Sequence, residues 1–298
     1  MKLAMRPEAN EIWNELGVTP GPVVRVFGMR RAGNHAIINW LLRNAPSEGT
    51  VFLNNCVAGR HPFRGFKTLE VNGQRCTQKG ERKVLADFAV DAGEGATLLV
   101  SYEDVMPNRV PSGQAISGDF DESLFGQEVL VYRSFLNWAA SLVKKIANNP
   151  TYKQAHRTII LLRALEQYSA SLEMVMHQQA LNMVAICYDD WLQSADYRAD
   201  ILGRMGFAQR DDSLGKVQSY GGGSSFQPEE GEADKLSTDR RWQQMAADPL
   251  FQIVLWLFAQ DAEFLDRLDA IFPDDADRLR RFAGQDPFST GPETGGLQ

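Results

Sequence analysis

The stretch that decides the fold of this chain is Val23-Val24-Arg25-Val26-Phe27-Gly28-Met29-Arg30-Arg31-Ala32-Gly33-Asn34-His35. An apolar run ends at Gly28, a second glycine follows at Gly33, and an apolar helical pattern begins at Ala36. A strand, a glycine-bounded turn and a helix place backbone N–H groups at a helix N-terminus, where they bind an anion. The stretch therefore predicts an anion site at the end of a β-strand.

The loop differs from the phosphate-binding loop of nucleotide hydrolases in the residues that follow its second glycine. Those enzymes have Lys for the β- and γ-phosphates and then Ser or Thr for Mg²⁺. In this chain Asn34 and His35 occupy the two positions. The predicted site lacks the usual contact for magnesium, which favours a metal-free transfer of a group less charged than phosphoryl.

The composition is that of a soluble globular protein, with 298 residues, 44% of them hydrophobic and 23% charged. A net charge of −7 argues against general binding to nucleic acid or to a membrane surface, so the anion site has to be local. The three cysteines have no CxxC spacing, and no secretion signal or run of membrane-spanning length is visible. We therefore expect a cytoplasmic protein with reduced thiols.

Short β-rich runs alternate with longer helical patterns, which predicts a three-layer α/β fold with a central, mostly parallel sheet that is P-loop-like. The predicted strands are 23–28, about 50–54, 96–102, 128–133 and 182–188. The predicted helices are 34–44, 80–90, 135–148, 156–179 and 190–204. A glycine-rich loop at 219–231 leads into a helical C-terminal elaboration. We expect residues 1–283 to form a single domain and residues 284–298 to be a disordered tail.

A second candidate anion site follows the strand at 128–133. Arg133 ends this strand and Ser141 lies on the next helix, so both are expected near the carboxyl edge of the sheet, where open α/β folds bind ligands. A guanidinium and a hydroxyl together suit a phosphate. A surface arginine and a helix-packing serine produce the same pattern, and the spacing alone favours that simpler interpretation.

These two elements and a third, in this order, resemble the sulfotransferases that use 3′-phosphoadenosine 5′-phosphosulfate (PAPS). The loop from Arg31 to His35 is similar to the family's Lys-Ser-Gly-Thr-Thr type loop, which holds the 5′-phosphosulfate. The segment from Arg133 to Ser141 is similar to the family's 3′-phosphate motif. The third element, around Tyr188, is similar to a strand whose aromatic residue contacts the adenine. The resemblance extends over residues 22–207.

The resemblance implies PAPS as the donor, no metal, and a set of donor-binding residues. The implied donor-binding residues are Arg30, Arg31, Ala32, Gly33, Asn34, His35, Arg133, Ser141, Tyr188, Gly223, Ser224 and Ser225. The last three belong to the loop at 219–231, which corresponds in position to a family segment that closes on the 3′-phosphate. That family segment usually contains Arg-Lys-Gly, which this loop lacks, and a plain flexible linker is the alternative for it.

Three residues are implied to act in the reaction itself: Glu103, Arg31 and His35. In the family the strand that corresponds to 97–104 ends near the general base, a histidine in many members and a glutamate in others. Glu103 falls at that place. Asp104 is the alternative base, since alternation along a strand puts only one of the two side chains on each face. Either carboxylate would also serve to cap the following turn.

Arg31 and His35 leave two questions open. Arg31 stands where the family usually has lysine, and a guanidinium stabilises a leaving phosphate but is a poor proton donor. The leaving-group acid is therefore undetermined. His35 either contacts the phosphate through its ring or contributes only its backbone N–H, and Arg30 is either a ligand or a solvated side chain.

The acceptor is the least determined part of the function. Residues 60–83 carry seven Lys or Arg against two Glu, which suits an acidic glycan, a lipid head group or another anionic small molecule, although a solvated surface has the same composition. Two other functions remain open. One is an ATP- or GTP-dependent phosphotransferase or NTPase with a degenerate P-loop, and the other is a nucleotide-binding protein without catalytic activity.

Overall fold

The computed structural model describes residues 9–76, 85–217, 224–227 and 229–284, without the side chains of residues 9 and 10. Seven strands form one sheet. They are β1 (Val23–Gly28), β2 (Thr50–Asn54), β3 (Thr68–Val71), β4 (Gln74–Cys76), β5 (Thr97–Glu103), β6 (Gln127–Tyr132) and β7 (Met183–Cys187). Their order in the sheet is β4-β3-β2-β5-β1-β6-β7.

Helices connect and flank these strands. They are α1 (Ala9–Asn14), α2 (Asn34–Arg43), α3 (Pro62–Gly65), α4 (Leu85–Ala89), α5 (Phe135–Ala147), α6 (Gln154–Met176), α7 (Tyr188–Gln193), α8 (Ala195–Arg204), α9 (Arg241–Met245), α10 (Pro249–Ala259), α11 (Ala262–Ile271) and α12 (Pro273–Phe282). Within the described residues, every helix is too short or too polar to cross a bilayer.

The predicted mostly parallel α/β fold is confirmed. The strands β2, β5, β1, β6 and β7 run parallel, while β3 is antiparallel to both of its neighbours. All six residues of β1 are buried, as expected for a central strand covered on both faces. The one charged residue among them, Arg25, pairs with Glu122 and Glu128, so its buried charge is compensated.

Three details differ from the sequence-based prediction. The hairpin of β3 and β4 was not predicted, although Asn72 and Gly73, the turn residues, both have the positive φ that such a turn requires (51° and 73°). Tyr188 begins a helix instead of ending a strand. The helix predicted over 190–204 is interrupted at Ser194, whose side chain accepts a hydrogen bond from Tyr197 N and so starts α8.

Two further predictions are only partly covered by the structure. The helix predicted over 80–90 is seen as α4, and residues 80–84 lie outside the described residues. Of the predicted tail only Gly284 is described.

The C-terminal helices share a core with the helices that follow β6. Helices α9 and α10 pack against α5, and α11 packs against α6. The ring of Phe135 on α5 lies 4.9 Å from Phe258 and 5.1 Å from Phe264, measured between centroids. This packing brings residues near 241 to the carboxyl end of β6, about a hundred residues earlier in the chain.

Candidate anion-binding cleft

The loop between β1 and α2 contains two residues in the left-handed region. Arg31 has φ 70° and Gly33 has φ 99°. The Nδ2 of Asn34 donates to Met29 O at 3.0 Å and closes the loop from inside. Gly33 is the N-cap of α2 and has no side chain that could accept a hydrogen bond from the first N–H groups of this ten-residue helix.

Both glycines of the loop are required because neighbouring side chains leave no room for a Cβ. A Cβ at Gly28 would lie 2.2 Å from Asn34 Oδ1. A Cβ at Gly33 would lie 2.1 Å from Cδ2 of Tyr188, which therefore covers the loop closely. The glycines thus allow a compact loop beneath an aromatic ring.

Gly33→Ala is expected to lower the free energy of unfolding by about 2–4 kcal/mol, since it combines a left-handed backbone with a severe overlap. Urea unfolding followed by circular dichroism measures the change. The matched control is Gly203→Ala on α8, where a Cβ meets nothing within 4 Å and the helix should be slightly stabilised. Equal stability of the two variants would contradict the described packing of Tyr188 on the loop.

The two carboxylates at the end of β5 have different partners. Asp104 accepts a hydrogen bond from Arg30 N at 2.8 Å and forms an ion pair with Arg30 Nε. Glu103 lies beside Gly28 of β1, lines the cleft, and accepts a hydrogen bond from Asn55 Nδ2 at 3.3 Å. Burial, reinforced by the charge of Asp104, raises the pKa of Glu103. Asp104 therefore holds the loop, and Glu103 is the carboxylate that the cleft presents to a ligand.

Arg133 follows β6 and is almost completely buried, with 1% of its surface exposed. Its Nε lies 3.5 Å from Asp189 Oδ1, its guanidinium lies 5.0 Å from the ring centre of Tyr188, and it donates to the carbonyl of Thr238. The turn after it is held through Ser134, whose N–H donates to Asp189 at 2.7 Å. The guanidinium is thus held in place before any ligand binds.

Arg241, at the start of α9, is a cleft residue that sequence reasoning missed. It is buried, and its Nη1 donates to Ser141 Oγ at 3.1 Å. The N–H of Arg241 donates to Asn137 Oδ1 at 3.1 Å, which fixes the start of α9 on α5. Burial, together with the charge of Arg133, lowers the pKa of Arg241 to about 9, so it remains charged at pH 7. Its Nε makes no hydrogen bond among the described residues.

These elements enclose a cleft of about 430 Å³ at the carboxyl ends of the parallel strands. We call it the anion cleft. Its described wall contains seven cationic side chains against one carboxylate, Glu103. The seven are Arg30, Arg31, Lys67, Arg133, Lys145, Lys216 and Arg241. His35 adds no charge at pH 7, because burial, with the charges of Arg31 and Lys67, lowers its pKa to about 4. Such a wall in a protein of net charge −7 attracts an anion.

The anion cleft brings together nine of the residues predicted from the sequence. They are Arg30, Arg31, Gly33, Asn34, His35, Glu103, Arg133, Tyr188 and Ser224. Three others are not part of its wall. Ala32 and Ser141 are buried, and Ser225 follows the lining residue Ser224 in the chain. The Ser141 hydroxyl contacts Arg241 and donates to Asn137 O at 2.9 Å, so it supports an arginine and does not face the cleft.

Two further predictions concern the loop at 219–231 and the absence of a bound metal. Gly223 lies outside the described residues, and Ser224 forms a turn in which its Oγ accepts from Gln227 N at 3.0 Å. In the described ranges no group of three His, Cys, Asp or Glu side chains is arranged to hold a metal ion.

No protein-family model matches the chain, and no curated protein sequence matches it. A similar solved structure is that of mouse sulfotransferase SULT7A1 complexed with PAP. The two chains are 12% identical, the similarity covers 92% of this chain and 94% of the mouse chain, and the TM-score is 0.40. At this distance no residue role passes from the mouse protein to this chain.

Proposed function

We propose that the protein is a sulfotransferase that takes a sulfuryl group from PAPS and passes it to a hydroxyl or amine. The observation that carries this proposal is the convergence of three guanidinium groups, those of Arg31, Arg133 and Arg241, in a cleft whose described wall has one carboxylate, Glu103. The cations suit a donor with several negative charges, and the carboxylate suits the removal of a proton from an acceptor.

The residues of the cleft fit the two anionic ends of PAPS. The loop with Arg31 and the N-terminus of α2 suit the 5′-phosphosulfate. Arg133 and Arg241 suit the 3′-phosphate, since among the described residues these two buried guanidinium groups have one aspartate, Asp189, to offset their charge. The Nε of Arg241, which makes no hydrogen bond among the described residues, is a further donor for that phosphate. In this arrangement Ser141 positions Arg241.

When bound, PAPS supplies the sulfuryl group: its bond from sulfur to the bridging oxygen breaks as the acceptor oxygen bonds to sulfur, and the bridging oxygen stays with the 5′-phosphate. Arg31 and the first N–H groups of α2 stabilise the negative charge that develops on this phosphate. Arg31 keeps its proton while it does so. His35, neutral at pH 7, contributes a hydrogen bond without adding charge.

Glu103 takes the proton that the acceptor hydroxyl loses. Its raised pKa makes it a stronger base than an exposed glutamate, and Asn55 orients it with a hydrogen bond. Asp104 is less suited to this role because Arg30 engages both of its oxygens. We therefore assign the base to Glu103 and the positioning of the loop to Asp104.

The proposal is tested by calorimetric titration with the desulfated product, 3′-phosphoadenosine 5′-phosphate (PAP), with and without Mg²⁺, beside ATP. We expect PAP to bind with equal affinity in the presence and absence of Mg²⁺, and ATP to bind more weakly because it lacks the 3′-phosphate. Binding of ATP with Mg²⁺ and no binding of PAP would overturn the proposal in favour of a phosphotransferase.

A further inference from the structure

The two ends of the anion cleft differ in chemistry. Two of its aliphatic lining residues, Leu142 and Ile146, lie on α5, which also carries Ser141, the partner of Arg241. The surroundings of Glu103 are polar. Asn55 donates to it, and the charges that act on it are those of Asp104, Arg30, Lys67 and Arg31. An acceptor whose hydroxyl reaches Glu103 therefore enters a polar and mainly cationic environment.

Among the described residues, Lys67 is a cation of this end for which no side-chain partner is seen. It directly precedes β3, and its N–H donates to Asn54 O at 2.9 Å, which anchors its backbone beside β2. Its side chain is exposed, lines the cleft, and makes no hydrogen bond or ion pair within 4 Å in the described chain. It lines the same cleft as Glu103 and His35, and its charge acts on both.

The other cations near Glu103 already have roles. Arg30 is paired with Asp104. Arg31 is assigned to the 5′-phosphosulfate under the proposed function, on which this inference rests. That assignment leaves Lys67 facing the acceptor. An exposed ammonium next to a general base is best matched by an acceptor with a negative charge of its own.

We infer that the acceptor is a hydrophilic molecule with an anionic group, a carboxylate or a phosphate, near the hydroxyl that is sulfated, and that Lys67 binds this group. An apolar acceptor would displace the water that hydrates Lys67 and Asn55 and would offer no polar group in its place. An anionic acceptor replaces that hydration with a charge-assisted hydrogen bond. Lys67 is accordingly a residue that determines acceptor specificity.

The test measures transfer of ³⁵S-labelled sulfuryl from PAPS to matched acceptors. Methyl β-glucuronide is paired with methyl β-glucoside, and glucose 6-phosphate with glucose, so that the carboxylate and phosphate arms are read separately. The apolar comparison is benzyl alcohol, whose hydroxyl stays un-ionised at the pH of the assay. We expect wild-type protein to prefer one charged member over its neutral partner by roughly tenfold in kcat/KM.

Lys67→Met is expected to remove this preference while the Kd for PAP stays unchanged. The matched control is Arg60→Met, which removes an exposed cation of the same segment that does not line the cleft, and which should keep the preference. Equal or better transfer to the neutral or apolar acceptors, or a preference that survives in Lys67→Met, would overturn the inference.

Transfer to neither charged acceptor by a wild-type protein that binds PAP would also overturn the inference while leaving the donor site intact. Failure of the wild-type protein to bind PAP would instead overturn the proposed function. The two failures are therefore distinguishable in one set of measurements.

Discussion

Glu103→Gln is expected to lower kcat by a factor of roughly 10² to 10⁴, which is the usual contribution of a general base. Glutamine keeps the shape of the side chain and its hydrogen bond from Asn55, but it cannot accept the acceptor proton. The Kd for PAP should stay within about twofold, because Glu103 is a carboxylate in a cationic cleft and has no attraction for phosphate. Single-turnover transfer and calorimetry on the same protein measure the two quantities.

The pH dependence of wild-type transfer gives a second measure of the same residue. Burial and the charge of Asp104 raise the pKa of Glu103, so the acidic limb of the kcat/KM profile should lie above the ordinary range for a glutamate. The rate falls as the pH decreases through this limb, because protonated Glu103 cannot act as a base. Glu103→Gln should lack the limb.

Asp104→Asn is the matched comparison for Glu103→Gln. It changes the neighbouring carboxylate, which holds Arg30 through two contacts, so it should weaken PAP binding by loosening the loop. A pattern in which Asp104→Asn abolishes turnover at unchanged PAP affinity, while Glu103→Gln is active, would assign the base to Asp104.

Arg241→Met is expected to weaken PAP binding by a factor of roughly 10² to 10³, the usual cost of losing one partner from a buried charge pair. The methionine retains much of the apolar volume of the side chain but cannot donate to a phosphate. The unliganded protein should not lose stability, because the substitution removes a buried charge that Arg133 repels. Calorimetry with PAP and thermal unfolding without ligand measure both effects.

Arg240→Met serves as the control for Arg241→Met. The two arginines are adjacent, but the side chain of Arg240 is 73% exposed and lies 3.6 Å from Asp239, outside the cleft. Its substitution should leave PAP affinity unchanged, since screened surface charges contribute little. Equal losses in the two variants would show that net charge alone determines the affinity, and full affinity in Arg241→Met would remove Arg241 from the site.

The strand, loop and helix from Val23 to Arg43 could be predicted because their signals are local. An unbroken apolar run, two glycines and a helical period lie within one short stretch, and the structure has β1 and α2 with nearly the predicted bounds. The hairpin of β3 and β4 was missed because its strands have four and three residues and the second is largely exposed, so they lack a clear apolar pattern. Only its Asn72-Gly73 turn was a usable signal.

The choice between Glu103 and Asp104 shows where a local pattern stops being informative. Alternation along the predicted strand indicates that the two carboxylates diverge, but not which of them faces a ligand. That depends on the pairing of β5 with β1, which places Glu103 beside Gly28, and on the loop, which brings Arg30 to Asp104. The assignment of these two residues therefore required the sheet register.

The sequence by itself determined most of the central strands and the glycine-bounded loop between β1 and α2, because propensity, periodicity and glycine spacing act over a few residues. Only the tertiary structure decided that Arg241 joins Arg31 and Arg133 in one cleft. Strand order places β6 beside β1, and the packing of α9 on α5 brings Arg241 to Ser141, a hundred residues away in sequence. Contacts at such separations depend on how the helices and sheet pack together, and no local pattern of residues records them.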